Sequence, residues 1–136
     1  MSETGSKTVI GKVGRVAVPV SDQDRAIEFY TEKLGFTLES DIAVNDDYRW
    51  VEVVPPAGGT ALAIVPPPPH ARGRIGVDTN VILTTDDIDG AHAELRDRGV
   101  DVDAEVSRMG DPIPPMLFFR DQDGNTLLLV EVPDDR

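Results

Sequence analysis

The sequence predicts an α+β protein built from two βαβββ modules whose curved mixed sheets pair. Three observations predict it. A strand–helix–strands order occurs twice, its helix stops and hairpin turns recur at spacings of 64 and 65, and four consecutive prolines separate the copies. The 136 residues fit one domain, large enough to bury about two thirds of the surface the unfolded chain exposes.

Residues 1–12 are polar and small and read as a loose N-terminal arm. Val16, Val18 and Val20 then alternate with Arg15, Ala17 and Pro19, a strand with one apolar face. Ser21-Asp22-Gln23-Asp24 reads as a capping box, and Ala26, Ile27, Tyr30 and Leu34 follow at helical spacing until Gly35 stops the helix. Strands are expected over 36–44, 48–54 and 60–65, the last two joined by Pro55-Pro-Ala-Gly-Gly59. The run Pro66-Pro-Pro-Pro-His70 excludes helix or central strand and predicts a stiff extended connector over 66–79.

Beyond it the order returns. Val81, Leu83 and Thr85 alternate, Asp86-Asp87 can cap a helix holding Ile88, Ala91 and Leu95, and Gly99 stops it. Strands are expected over 100–106, 116–119 and 127–132, with Asp121-Gln-Asp-Gly-Asn125 as a turn. Asp22/Asp86, Gly35/Gly99 and Phe36/Val100 lie 64 residues apart, and Gly59/Gly124, Leu62/Leu127 and Ile64/Leu129 lie 65 apart. The expected organisation is one domain over 13–132, with module one at 13–65 and module two at 80–132, followed by an acidic tail at 133–136. Each module has one helix for one sheet face, so the other face must be closed by the second module or another subunit.

Composition narrows the function. Asp and Glu number 25 against 13 Lys and Arg, a net charge of −12. The longest basic cluster is Arg72-Gly-Arg74, so nucleic acid and anionic membrane are not expected partners. The absence of Cys removes thiolate chemistry and disulfides. No apolar run approaches the ~20 residues of a membrane span, and the start lacks a signal-peptide apolar stretch. A soluble, cytoplasmic protein is expected.

Two stretches carry a family resemblance. Val16-Ala-Val-Pro-Val-Ser-Asp-Gln-Asp-Arg-Ala-Ile-Glu-Phe-Tyr-Thr-Glu-Lys-Leu-Gly-Phe36 resembles the opening of the vicinal oxygen chelate superfamily. That superfamily includes glyoxalase I, extradiol dioxygenases, fosfomycin-resistance transferases and bleomycin-resistance proteins. Phe119-Arg-Asp121-Gln-Asp-Gly-Asn125-Thr-Leu-Leu-Leu resembles its Asp-Pro-Asp-Gly-Asn hairpin, with Gln122 in place of Pro. The resemblance implies the paired-module fold and a homodimer, and leaves isomerase, lyase, oxygenase, transferase and binder open.

The resemblance also implies where a metal would bind. Its ligand positions fall at Arg15, Ala63, Asn80 and Leu128. An Arg has no lone pair to give, Ala and Leu have no donor atom, and Asn80 offers one neutral oxygen. The expectation is no metal site and no cofactor, although divalent-metal enzymes populate the family. The two histidines, His70 in the connector and His92 on the second helix's surface, do not rescue it, because the apolar side of that helix is expected to face away from any cavity.

Alternation places Arg15, Ala17, Pro19, Trp50, Glu52, Ala61, Ala63, Val65, Asn80, Ile82, Leu128 and Val130 on the cavity side, the makeup of an organic-ligand pocket. Arg15 reads as an anchor for a ligand anion, as the partner of Glu52, or as a tip snorkelling out to water. Glu52 in turn reads as that partner, as a weak candidate for a catalytic base, or as a holder of a cationic ligand. Trp50 either stacks on a flat ligand or fills the concave core. Tyr48, Asn80 and Leu128 complete the candidate contacts, while Phe118, Phe119, Met109 and Met116 read as core or subunit contacts. The expected function is metal-independent binding of a small organic ligand, resembling the bleomycin-resistance proteins. The alternative is a glyoxalase- or dioxygenase-like enzyme acting on a small organic substrate.

Overall fold

A computed structural model describes residues 9–132, so most of the expected arm and all of the expected tail lie outside it. In chain order it contains β1 (Arg15–Pro19), α1 (Gln23–Glu28), β2 (Thr37–Asn45), β3 (Tyr48–Val54) and β4 (Ala61–Val65). Then come β5 (Asp78–Thr85), α2 (Ile88–Asp97), β6 (Asp101–Val102), β7 (Met116–Arg120) and β8 (Thr126–Glu131). The strands form two four-stranded sheets of identical order, β1-β4-β3-β2 and β5-β8-β7-β6. In each, the strand before the helix pairs in parallel with the module's last strand, and the other pairs are antiparallel. This is the α+β architecture of two βαβββ modules.

The alternation read from the strands sets which face each module buries. Val18, Val51, Val53, Leu62 and Ile64 turn toward α1, and Val81, Leu117, Phe119, Leu127 and Leu129 toward α2. With Tyr30, Phe36, Ile88, Leu95 and Val100 they form one core spanning both modules. Full burial of a Leu or Phe side chain contributes about 1.5–3 kcal/mol, so these faces hold the fold together. The opposite faces carry Arg15, Ile42, Ile82 and Phe118, all exposed.

The helix ends refine the repeat. Asp22, rather than Ser21, caps α1 by accepting from the Arg25 amide at 3.1 Å. Asp87, rather than Asp86, caps α2 by accepting from the Gly90 amide at 3.0 Å. The caps are therefore 65 residues apart, while the stops Gly35 and Gly99, at φ +77° and +81°, are 64 apart. Module one holds one extra residue between cap and stop, and α1 absorbs it by continuing as a π turn over Phe29–Lys33.

Three further expectations are corrected. The connector is not wholly extended, because Pro69–Arg74 winds into 3₁₀ turns, which a Pro at the first position permits. β5 begins at Asp78, inside the segment expected to be connector. The strand expected over 100–106 shrinks to Asp101–Val102, beyond which only Ser107 bridges Met116.

The two family-like stretches meet as a clasp between modules. Tyr30 Oη donates to Asp121 Oδ2 at 2.8 Å. Burial, then the neighbouring Asp121 charge, pushes Tyr30 well above its usual pKa, so it stays a donor. Asn125, fully buried, donates to the Pro19 carbonyl and Asp121 and accepts from the Gly76 amide. Ser21 donates its amide and hydroxyl to Asp123.

Candidate functional site

The open face of the first sheet gathers three candidates from two strands. Glu52 of β3 lies in register with Ala63 of β4, which is in register with Ala17 of β1. The two alanines leave the floor beside Glu52 low. Arg15 Nε and Trp50 Nε1 both donate to Glu52 Oε2. Those contacts cover the carboxylate, and Glu52 is 4% exposed, beside the buried Ala61 and Ala63 on the same face. The Arg15 side chain remains 58% exposed.

Arg15, then the Trp50 indole, hold Glu52 below the usual carboxylate range against the opposing effect of burial. The group is anionic at neutral pH and paired. That chemistry suits a fixed donor–acceptor platform: Glu52 orients the guanidinium and indole, and the outer edge of the guanidinium faces solvent. It does not suit a general base, which needs a pKa near the working pH. Across β2, Ser40 and Ile42 sit in register with Glu52 and Trp50. Tyr48, two residues before Trp50, lies half-buried at the same sheet face.

Asn80 and Leu128 lie on the second sheet instead. Asn80 adopts φ 62°, a left-handed conformation Asn tolerates, and its amide donates to Asp78 Oδ1. Leu128 is in register with Ile82 on one side and Phe118 on the other, an apolar row. No ladder joins the two sheets among the described residues, and β1 and β5 are both sheet edges. The chain brings Arg15, Trp50 and Glu52 together and leaves Asn80 and Leu128 apart from them.

The main cavity lies elsewhere. It has a volume of about 620 Å³ and opens on the helix side, between the modules, where Leu34, Phe36, Leu62, Leu83, Leu95 and Phe119 line it. Of the six candidate contacts only Asn80 reaches its rim. The apolar side of α2, expected to face away from any cavity, supplies part of its wall through Ala91 and Leu95. The strand patterns place these residues correctly in the core but do not say where the contact between the modules leaves a gap.

The metal positions bear the same comparison. β5 and β8 align Ile82 with Leu128 as β1 and β4 align Ala17 with Ala63. A register shift between Asp78 and Ile82 pairs Asp78 with Thr126 where Arg15 pairs with Ala61, so the ladder counterpart of Arg15 is Asp78 and Asn80 lies in the irregular stretch between. A cation, an amide and two hydrocarbon side chains do not fit a divalent metal. No group of three or more His, Asp or Glu converges among the described residues. His70 is exposed in the 3₁₀ segment. His92 Nε2 lies 2.8 Å from the Asp103 carbonyl, which only accepts, so that nitrogen carries the proton and is not a ligand.

Residues 12–129 match the model of the Glyoxalase/Bleomycin resistance protein/Dioxygenase superfamily. The chain belongs to that superfamily. An uncharacterized protein of Bacillus subtilis (strain 168), YetH, is 32% identical, covering 90% of this chain and 100% of its own. A superfamily member from Sphaerobacter thermophilus DSM 20745 superposes with a TM-score of 0.82 at 36% identity, covering 92% of this chain and 100% of its own. TnmS3, an antibiotic binding protein from Streptomyces sp. CB03234, superposes with a TM-score of 0.77 at 34% identity, over 92% and 98% of the two chains. No helix among the described residues is long and apolar enough to cross a membrane.

Proposed function

We propose that this member of the superfamily binds a small organic ligand without a metal, against the open face of its first sheet. The observation that carries the reading is Glu52 held by both Arg15 and Trp50 on a face whose metal positions offer no metal donors. Arg15 presents its free edge to an oxygen of the ligand, and Trp50 supplies a flat surface for its rings. The likeness to an antibiotic binding protein supports a bulky organic ligand, and Glu52, anionic and doubly engaged, is no poised base.

A homodimer completes the site in this reading. Ile42, Ile82 and Phe118 are 58%, 60% and 38% exposed on the two open faces, apolar side chains that a second copy can cover. A second copy covers these faces and encloses the ligand between one chain's Arg15–Glu52–Trp50 cluster and the other's Ile82–Leu128–Phe118 row. Trp50 is the only Trp, so its fluorescence reads this site alone. Screening organic compounds by Trp50 quenching, with Arg15→Ala as control, tests the reading. Quenching that saturates and is weakened by the substitution supports it, and quenching indifferent to Arg15 sinks it.

A further inference from the structure

We propose a second ligand site, for an amphipathic organic anion, in the cavity between the modules on the helix side. It does not rest on the open-face reading above, although Asn80 and Ile82 border both sites.

The cavity arises where the internal symmetry breaks. A spacing of 65, shared by the helix caps and the hairpin glycines, relates Tyr30 to Leu95, Asp121 to Pro56 and Asn125 to Thr60. At one end of the module contact, Tyr30, Asp121 and Asn125 hydrogen-bond across the boundary and close it. At the other end the counterparts cannot. Leu95 and Pro56 have no side-chain donor or acceptor, and Thr60 Oγ1 donates to Val13 within its own module. All three line the cavity, and at this end the modules are joined instead at the cavity wall, where Lys33 and Arg98 each donate to the other's carbonyl.

Its chemistry selects the ligand. The floor is apolar, with Leu34, Phe36, Leu83 and Phe119, and its volume lies within the range of organic-ligand sites. Lys33 stands on its lining. Lys33 Nζ donates to the Arg98 carbonyl at 2.6 Å, and among the described residues no carboxylate lies within ion-pair distance of it. The neighbouring Arg98 is already engaged, by Glu94 and by the Lys33 carbonyl. One ammonium with donors to spare above a hydrocarbon floor fits an apolar body ending in a carboxylate. The anion supplies an acceptor where Leu95 and Pro56 offer none.

Titration calorimetry of the full chain with decanoate, beside decan-1-ol as the uncharged control, tests this. We expect saturable binding of one decanoate per chain, about tenfold weaker for Lys33→Met and about tenfold weaker for decan-1-ol. Ala91→Phe, which fills the cavity from α2, abolishes it. Amide shift mapping on the unsubstituted protein covers the case in which Ala91→Phe does not fold, with shifts expected at Leu34, Phe36 and Leu95. No saturable binding, equal affinity in Lys33→Met, or shifts centred on Trp50 and Glu52 overturns the proposal. Trp50 fluorescence stays silent if decanoate takes this cavity, so this test and that of the open face fail separately.

Discussion

Tyr30 and Asp121 stand 91 residues apart in sequence and share a 2.8 Å hydrogen bond in the buried contact between the modules. The two stretches that resemble the family meet in that bond. Asp121 Oδ1 also accepts from the Asp123 and Asn125 amides, so one carboxylate orders its own hairpin and anchors the other module.

Tyr30→Phe removes one donor from that buried carboxylate while preserving the ring and its edge contacts to Phe29 and Phe36. Leaving the acceptor short of a partner is expected to destabilise the fold by about 1–3 kcal/mol, read by urea unfolding. A change below about 0.5 kcal/mol shows that the clasp contributes little.

The helix caps separate two neighbouring aspartates. Asp87→Ala is expected to cost about 1 kcal/mol because the Gly90 amide loses its acceptor, whereas Asp86→Ala changes stability by less than about 0.5 kcal/mol. Gly90 belongs to the same device, since a Cβ there collides with the cap carboxylate. Equal effects of the two substitutions place the cap elsewhere.

Glu52 is expected to make stability depend on acid pH. Its folded pKa lies below its unfolded value, so its contribution is fully present above the unfolded carboxylate range, near 4.5, and is lost as pH falls through the folded value. Urea unfolding of the parent chain and of Glu52→Gln should therefore differ most near neutrality and converge in acid. A difference that grows as pH falls contradicts the pairing with Arg15 and Trp50.

Self-association is expected to depend on the open faces. Ile82→Lys combined with Phe118→Lys places two charges in the apolar row beside Leu128 and should weaken a dimer by about tenfold or more in sedimentation equilibrium. The core residues Leu117 and Phe119 point the other way, so the unfolding midpoint of the separated chains should hardly move. Unchanged association removes the open faces from the interface.

Much of the fold was legible because strand alternation is a local signal: Val16, Val18 and Val20 announce their face without knowledge of the rest of the chain. The repeat was legible through its glycine stops and turns. The extra residue in α1 was not, because a π turn leaves the i, i+3, i+4 apolar spacing intact to the eye while shifting the register by one. The contact of Arg15 with Glu52 is one of the three readings of Arg15, since both fall on one face of the first sheet, separated by the small residues of β4. The cavity between modules was missed for a physical reason. Leu83, Leu95 and Phe119 read as core from sequence and are core in part, and only the three-dimensional mismatch of Pro56 and Leu95 against Asp121 and Tyr30 leaves them a space.

Binding of an organic ligand by this chain is expected to need no metal. Native mass spectrometry of protein purified without chelator or affinity metal, read beside a denatured run, tests it most directly. No divalent metal is expected, and an organic mass, co-purified or added, is expected that Arg15→Ala or Trp50→Ala loses. One stoichiometric divalent metal per site, retained through purification, would contradict it and move the protein toward the metal-dependent enzymes of its superfamily.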